Sequence, residues 1–281
     1  MKKNLNSGFA GFLISLLIIV PSVLYGQSDK VFLKKYLTEL PKVAVSSKLQ
    51  KYRMTAVYTN RDLYGNFTGK QKVSGDYTRG LENGFVSWNS IFISGSNSFS
   101  EPFPAGTNQA YMENLKYVPS SKTLEADFFK DFPSTPEAVF AKNLVWDMMA
   151  IEGFAWDYTD SLKLNVNYTI PDIKGEFSMA DIGTYTHTKI QVCWTGISYK
   201  NGEMCAVIDF RAIDNKIEMS MDAIKTKGTE QYWGTVWISF KDKLIESAEM
   251  YGGTIQEIEV KGMKDKFLIK TIRELEVNKI Q

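Results

Sequence analysis

The chain is short of the residues on which most catalytic and metal chemistry depends. Its 281 residues include one histidine, His187, and two cysteines, Cys193 and Cys205. A single imidazole excludes zinc sites with two or more histidine ligands. It also leaves a Ser-His-Asp arrangement without a Gly-x-Ser-x-Gly elbow or comparable context. No glycine loop stands between a strand and a helix in the manner of a phosphate cradle; "GNFTGK" and "YGGT" lack that setting. Charge of one sign is missing too. With 33 basic and 32 acidic residues, the chain has neither a footprint for nucleic acid nor a polybasic membrane clamp. Beyond residue 20 no apolar run is long enough to span a bilayer as a helix.

The N-terminus reads Lys2-Lys3, then an apolar run from Phe9 to Val20, then Pro21 and "SVLYGQSDK". A short positive region, about a dozen apolar residues and a small residue before a polar start have the form of a secretory signal peptide. Residues 1–26 are assigned to it, with cleavage after Gly26. Removing two lysines and no acids leaves 31 bases against 32 acids, a formal charge of −1. Residues 27–281 are expected to form a single globular domain. Residues 27–133 would supply N-terminal strands and a long connection, and 134–281 a helix followed by an antiparallel meander.

Period-two alternation, the mark of strands with one buried face, dominates from Tyr52 onward. "YRMTAVYTN" (52–60) sets Tyr52, Met54, Ala56 and Tyr58 against Arg53, Thr55 and Thr59. Further candidates are 84–95, 161–170, 185–199, 203–212, 216–224, 230–240, 243–251, 254–261 and 266–277. The later ones are separated by short turn-like segments such as "KNG", "IDN", "KTKG" and "GG", and such connections join antiparallel neighbours. Residues 95–133 are rich in Pro, Gly and Ser and read as a partly helical connection. The one strong helix, 134–153, opens with Ser134 or Thr135 as N-cap, Pro136 in the first turn and Glu137 completing a capping box; Gly153 supplies the stop. Its polar positions do not gather on one side, so it is expected to be covered on several sides. The fold class is therefore mainly β (α+β): a broad curved antiparallel sheet packed around one long apolar helix, half-barrel-like, with a β-sandwich as the alternative.

The two cysteines flank Asn201-Gly202, the strongest short hairpin signal in the chain, because a type I′ turn needs positive φ at both central residues. That turn pairs residues summing to 403, so Cys193 faces Phe210 and Cys205 faces Ser198. The thiols fall on opposite faces, staggered by five residues or ~16 Å, against a Cα limit near 7 Å. No disulfide is expected, and the thiols read as small buried hydrophobes.

Two candidate sites emerge. The acids Asp147, Glu152 and Asp157 lie near one another in sequence, and two converging carboxylates are the minimum for hydrolysis without histidine. No catalytic residue, cofactor or metal is assigned. The second site is aromatic and sulfur-rich: Trp146, Met149 and Trp156 on or beside the helix, with Trp194, Trp233 and Trp237 on the strands. These are candidates to line a pocket for a lipid-like or other apolar ligand between sheet and helix. The functional expectation is an exported, non-enzymatic envelope protein that binds such a ligand. The alternatives are a solid-cored structural or protein-interaction module with an envelope partner, and a carboxylate-dependent hydrolase.

The inferred architecture resembles the half-barrel of periplasmic lipoprotein carriers of the LolA-like group. The "YGQ" cleavage region is similar to exported proteins of Bacteroidetes-type bacteria. The resemblance implies a periplasmic or secreted location in a Gram-negative bacterium; the run lengths and the charge balance lead to the expectation of no membrane-spanning segment after cleavage and no nucleic-acid partner.

Overall fold

The computed structural model describes Lys34 and residues 40–171, 175–180, 182–221 and 223–280. The signal-peptide assignment, residues 1–26, lies outside them. Among the described residues thirteen strands form one antiparallel sheet. In chain order they are β1 (Gln50–Asp62), β2 (Phe67–Arg79), β3 (Val86–Ser96), β4 (Thr107–Asn108), β5 (Leu115–Tyr117), β6 (Tyr168–Thr169), β7 (Gly175–Ser178), β8 (Gly183–His187), β9 (Lys189–Lys200), β10 (Glu203–Met221), β11 (Ile224–Ser239), β12 (Ile245–Val260) and β13 (Phe267–Ile280). Their order is β4-β3-β2-β1-β13-β12-β11-β10-β8-β7; β9 pairs with the other half of β10 and carries β6. The sheet is open, not closed into a barrel, and the fold is mainly β with one long helix.

That helix, α1 (Pro136–Trp156), packs against the sheet face that carries the core: Tyr52, Met54 and Ala56 of β1, Tyr77 of β2, Trp88 and Ile91 of β3, and Ala248, Leu275 and Val277 of β12 and β13. α1 runs three residues past Gly153, because Phe154 and Ala155 are buried in the core and packing outweighs glycine's modest helix penalty. No side chain caps its start; Thr135 contributes its carbonyl, to the Ala138 amide, and the expected capping box is absent.

The meander has fewer, longer strands than the separators suggest. "IDN" is a bulge within β10, with Asp214 at φ 56°, and both flanks continue pairing with β11. "GG" lies inside β12, where Gly252 pairs with Tyr232 on one side and Arg273 on the other. "KTKG" belongs to β11, which already begins at Ile224, shortly after β10 ends at Met221. Residues 161–170 do not form a long strand; only Tyr168–Thr169 and a bridge from Leu164 to Trp194 pair there. At the three separators, pairing with neighbouring strands overrode local turn chemistry.

The Asn201-Gly202 turn has positive φ at both residues, 53° and 80°, and Cys205 faces Ser198. A bulge between Val207 and Ile208 then shifts the register, so Cys193 faces Asp209 and not Phe210. One extra residue returns both thiols to the same face, correcting the expectation of opposite faces. Cys193 still lies opposite a residue four positions from Cys205, ~13 Å along the ladder, and both thiols are free.

Candidate functional site

α1 divides the inside of the sheet into two unlike regions. Ala141, Leu144, Val145, Met148, Ile151 and Ala155 are fully buried on one side. Beneath them the sheet must come close: a Cβ on Gly75 of β2 would collide with Ile91 and approach Leu144 at 3.5 Å. Val139, Phe140, Asn143, Trp146, Met149, Ala150 and Gly153, at spacings of three and four, face the other way and are mostly half-buried. They form one wall of a cavity of about 550 Å³. This two-sided role explains why the helix is apolar most of the way round.

The sheet supplies the floor. Along β1, β13, β12 and β11 the inward positions are apolar at one end and become polar at one level of the ladder. Tyr58, Arg273, Gly252 and Tyr232 lie side by side at that boundary, and the next inward residues are Asn60, Thr271, Thr254 and Glu230, continuing to Asn215 of β10. The polar residues bond to one another: Thr271 Oγ1 donates to Asn60 Oδ1 at 2.7 Å, and Asn60 Nδ2 to Gln71 Oε1 at 3.0 Å. Gly252 has no side chain to fill the space between Arg273 and Tyr232. The remaining wall is apolar and rich in methionine, with Phe177, Met179, Ile217, Met219 and Met221.

Three charges face this cavity. Asp147 Oδ1 and Arg273 Nη1 are 3.1 Å apart, and both side chains are largely buried. Glu230 accepts a 2.6 Å hydrogen bond from the Tyr185 hydroxyl and acts electrostatically on both members of the pair. The Asp147 carboxyl is pushed up to about 6, by burial first, with Arg273 opposing and Glu230 adding to the rise. Burial also lowers His187 below its ordinary value, against the pull of Asn215 and Glu230, and its Nδ1 lies 3.3 Å from Asn215 Oδ1.

The three acids adjacent in sequence do not meet. Asp147 and Glu152 are five positions apart on α1, about 140° around its axis. Glu152 points into the packed side, where it accepts a 3.0 Å bond from the Tyr77 hydroxyl and lies 3.8 Å from Arg79; burial pushes its carboxyl up to about 7. Asp157 follows the end of the helix. The carboxylate that shares a cavity with Asp147 is Glu230. Among the described residues no group of three or more His, Cys, Asp or Glu is placed to hold a metal.

Of the six aromatic and methionine candidates, Trp146 and Met149 line the cavity. Trp146 is fixed by a 2.8 Å bond from Nε1 to the Thr123 carbonyl. Trp156 lies at the far end of α1, bonded to the Lys243 carbonyl and covered by the Arg79 guanidinium at 3.9 Å. Trp194 is a fully buried core residue bonded to the Gly196 carbonyl. Trp233 and Trp237 are on the opposite sheet face: Trp233 is 49% exposed and stacks on Tyr251, and Trp237 lies beneath the Lys200 ammonium. The inward phase of β11 is Glu230, Tyr232, Gly234, Val236 and Ile238. Its signal in the sequence was Gly234, where a Cβ would collide with Phe210 and with the backbone of β12. Taking the larger aromatics as inward inverted the strand.

No family model and no curated protein matches the chain. Among solved structures, a lipovitellin described for its lipid–protein interactions aligns over 83% of this chain at 12% identity, with a TM-score of 0.43. The alignment covers 25% of the lipovitellin chain, so this chain spans about a quarter of that protein's length. A DUF1329 family protein from Desulfovibrio piger aligns over 82% of this chain and 85% of its own, at 8% identity and a TM-score of 0.14. At these values neither likeness carries an argument about function.

Proposed function

We propose that the chain is an exported protein that holds an apolar or amphipathic ligand in the cavity between α1 and the sheet, and that it acts by binding and not by catalysis. The observation that carries this reading is the cavity itself. Its volume, about 550 Å³, lies within the range of small-molecule sites, and its walls combine many apolar side chains with a few convergent polar groups. Methionines suit a pocket that adapts to flexible chains. The acids beside it serve hydrolysis poorly: Asp147 is held by Arg273, and Glu230 is engaged by Tyr185. The export half of the proposal rests on residues 1–26 and is checked by finding Gln27 as the first residue of protein recovered outside the cytoplasm.

Organic extraction of the purified protein, followed by mass spectrometry, should release a lipid-like molecule. Delipidated protein should bind a neutral hydrophobic dye. Ala150→Trp, which fills the cavity from α1, should abolish dye binding while leaving the cooperative unfolding transition intact. Undiminished binding to a folded Ala150→Trp protein overturns the assignment.

A further inference from the structure

We infer that the ligand's polar end is uncharged, a hydroxyl, ester or amide on a long apolar body, and that the cavity discriminates against anionic lipids. This rests on the ligand-binding reading above and goes beyond it by naming the chemistry of the head.

The first reason is charge. Among the described residues the cavity lining contains two acids, Asp147 and Glu230, and one base, Arg273. Arg273 is already committed to Asp147 at 3.1 Å, and Glu230 adds a second negative field at the same guanidinium. His187, the remaining titratable nitrogen on the lining, is kept neutral by burial. A carboxylate or phosphate entering this space would be desolvated without a free cation among the described lining residues to meet it and would be repelled by Glu230, a combination that strongly opposes binding.

The second reason is what the polar part of the floor is made of. Asn60, Gln71, Thr254, Gln256 and Thr271 line it, on four neighbouring strands. Each side chain both donates and accepts, which matches a head that needs both and carries no charge. They adjoin the methionine-rich wall, so a ligand with its apolar body against Met149, Met219 and Met221 places its polar end at the Asn60–Thr271–Thr254 level. A cationic head would be drawn to Glu230, but that carboxylate already accepts the Tyr185 hydroxyl, and the cation would lose its hydration among amides and hydroxyls that a neutral head can bond without that cost.

The test is a titration of delipidated protein at pH 8 with three probes of equal chain length: dodecanol, dodecanoate and dodecyltrimethylammonium, each below its micellar concentration. Binding is read by calorimetry, with Ala150→Trp as the control for binding elsewhere. The inference predicts that dodecanol binds at least about tenfold more tightly than either ion, tenfold being ~1.4 kcal/mol. Glu230→Gln should raise dodecanoate affinity about tenfold relative to that of dodecanol. Equal or tighter binding of dodecanoate or of the ammonium probe overturns the uncharged head while leaving the ligand-binding reading standing. Glu230→Gln without effect on the anion overturns its electrostatic basis. Failure of all three probes to bind removes the ligand-binding reading itself.

Discussion

The two sides of α1 are made from the same helix and the same strands, yet one is solid and the other hollow. On the packed side the helix presents Leu144, Val145, Met148 and Ile151, all buried, to a sheet that brings Gly75 beneath them. On the cavity side it presents Phe140, Trp146, Met149 and Ala150, while the strands below turn from apolar to polar. Close packing needs large apolar groups on both partners. Where the sheet offers Asn60, Thr271 and Glu230, a helix cannot seal down without burying unpaired polar groups, so the space stays open. A few inward positions on four strands therefore separate a core from a binding site.

The sharpest way to break this contrast is to truncate each side in turn. Leu144→Ala should cost about 3 kcal/mol, because it removes buried atoms from a region that has no room to relax. Val139→Ala, on the cavity wall, should cost about 1 kcal/mol or less, since its side chain borders space already present. Urea unfolding midpoints at constant slope make the comparison; equal losses would mean that the two sides pack alike.

The acids offer a second comparison, since Asp147 faces the cavity and Glu152 the packed side. Both carboxyls are raised in the folded chain, from 3.8 to about 6 and from 4.5 to about 7, by burial. A raised carboxyl binds its proton more tightly when folded. Its contribution is complete below about pH 4 and is lost as pH rises through 6 for Asp147 and through 7 for Glu152. Stability should therefore fall between about pH 4.5 and 7.5, by a few kcal/mol in all, because each tenfold gain in proton affinity on folding is worth roughly 1.4 kcal/mol. His187, lowered by burial, works in the opposite direction below its ordinary pKa and blunts the fall at the acid end. Asp147→Asn should flatten the lower part of the profile and Glu152→Gln the upper part, as read by denaturant midpoints across pH.

The smallest effect belongs to the outer face. Trp233→Ala should change stability by no more than about 0.5 kcal/mol and leave dye binding untouched, because its ring stacks on Tyr251 in solvent and not in the cavity. A loss of binding in that variant would place the ligand on the wrong side of the sheet.

Much of the framework is legible in the sequence. The alternation Tyr52, Met54, Ala56, Tyr58 marks the inward face of β1 there as it does in the fold. Asn201-Gly202 makes the turn its positive-φ preference demands, and the all-round apolar character of 134–153 announces a helix covered on several sides, realised as Pro136–Trp156. The site is far less legible. Trp233 and Trp237 outweighed Gly234 in reading β11, although a residue without a side chain was the better marker of close packing. Arg273 and Glu230 look like ordinary charges on long strands, and nothing local marks them as partners of Asp147.

What the sequence determined by itself is what depends on neighbours in the chain: the period of the side chains, the tight turn, and the helix with its two apolar faces. These follow from backbone geometry repeated residue by residue. The tertiary structure alone decided which separators became bulges and which became turns, because a ladder supported on both sides can absorb an extra residue. It also decided that Asp147, Arg273 and Glu230 would share one cavity. Their encounter depends on the register of β11 with β12 and of β12 with β13, and on the path of α1 across them. Burial, which raises the Asp147 carboxyl and leaves Arg273 committed, exists only once those elements have met.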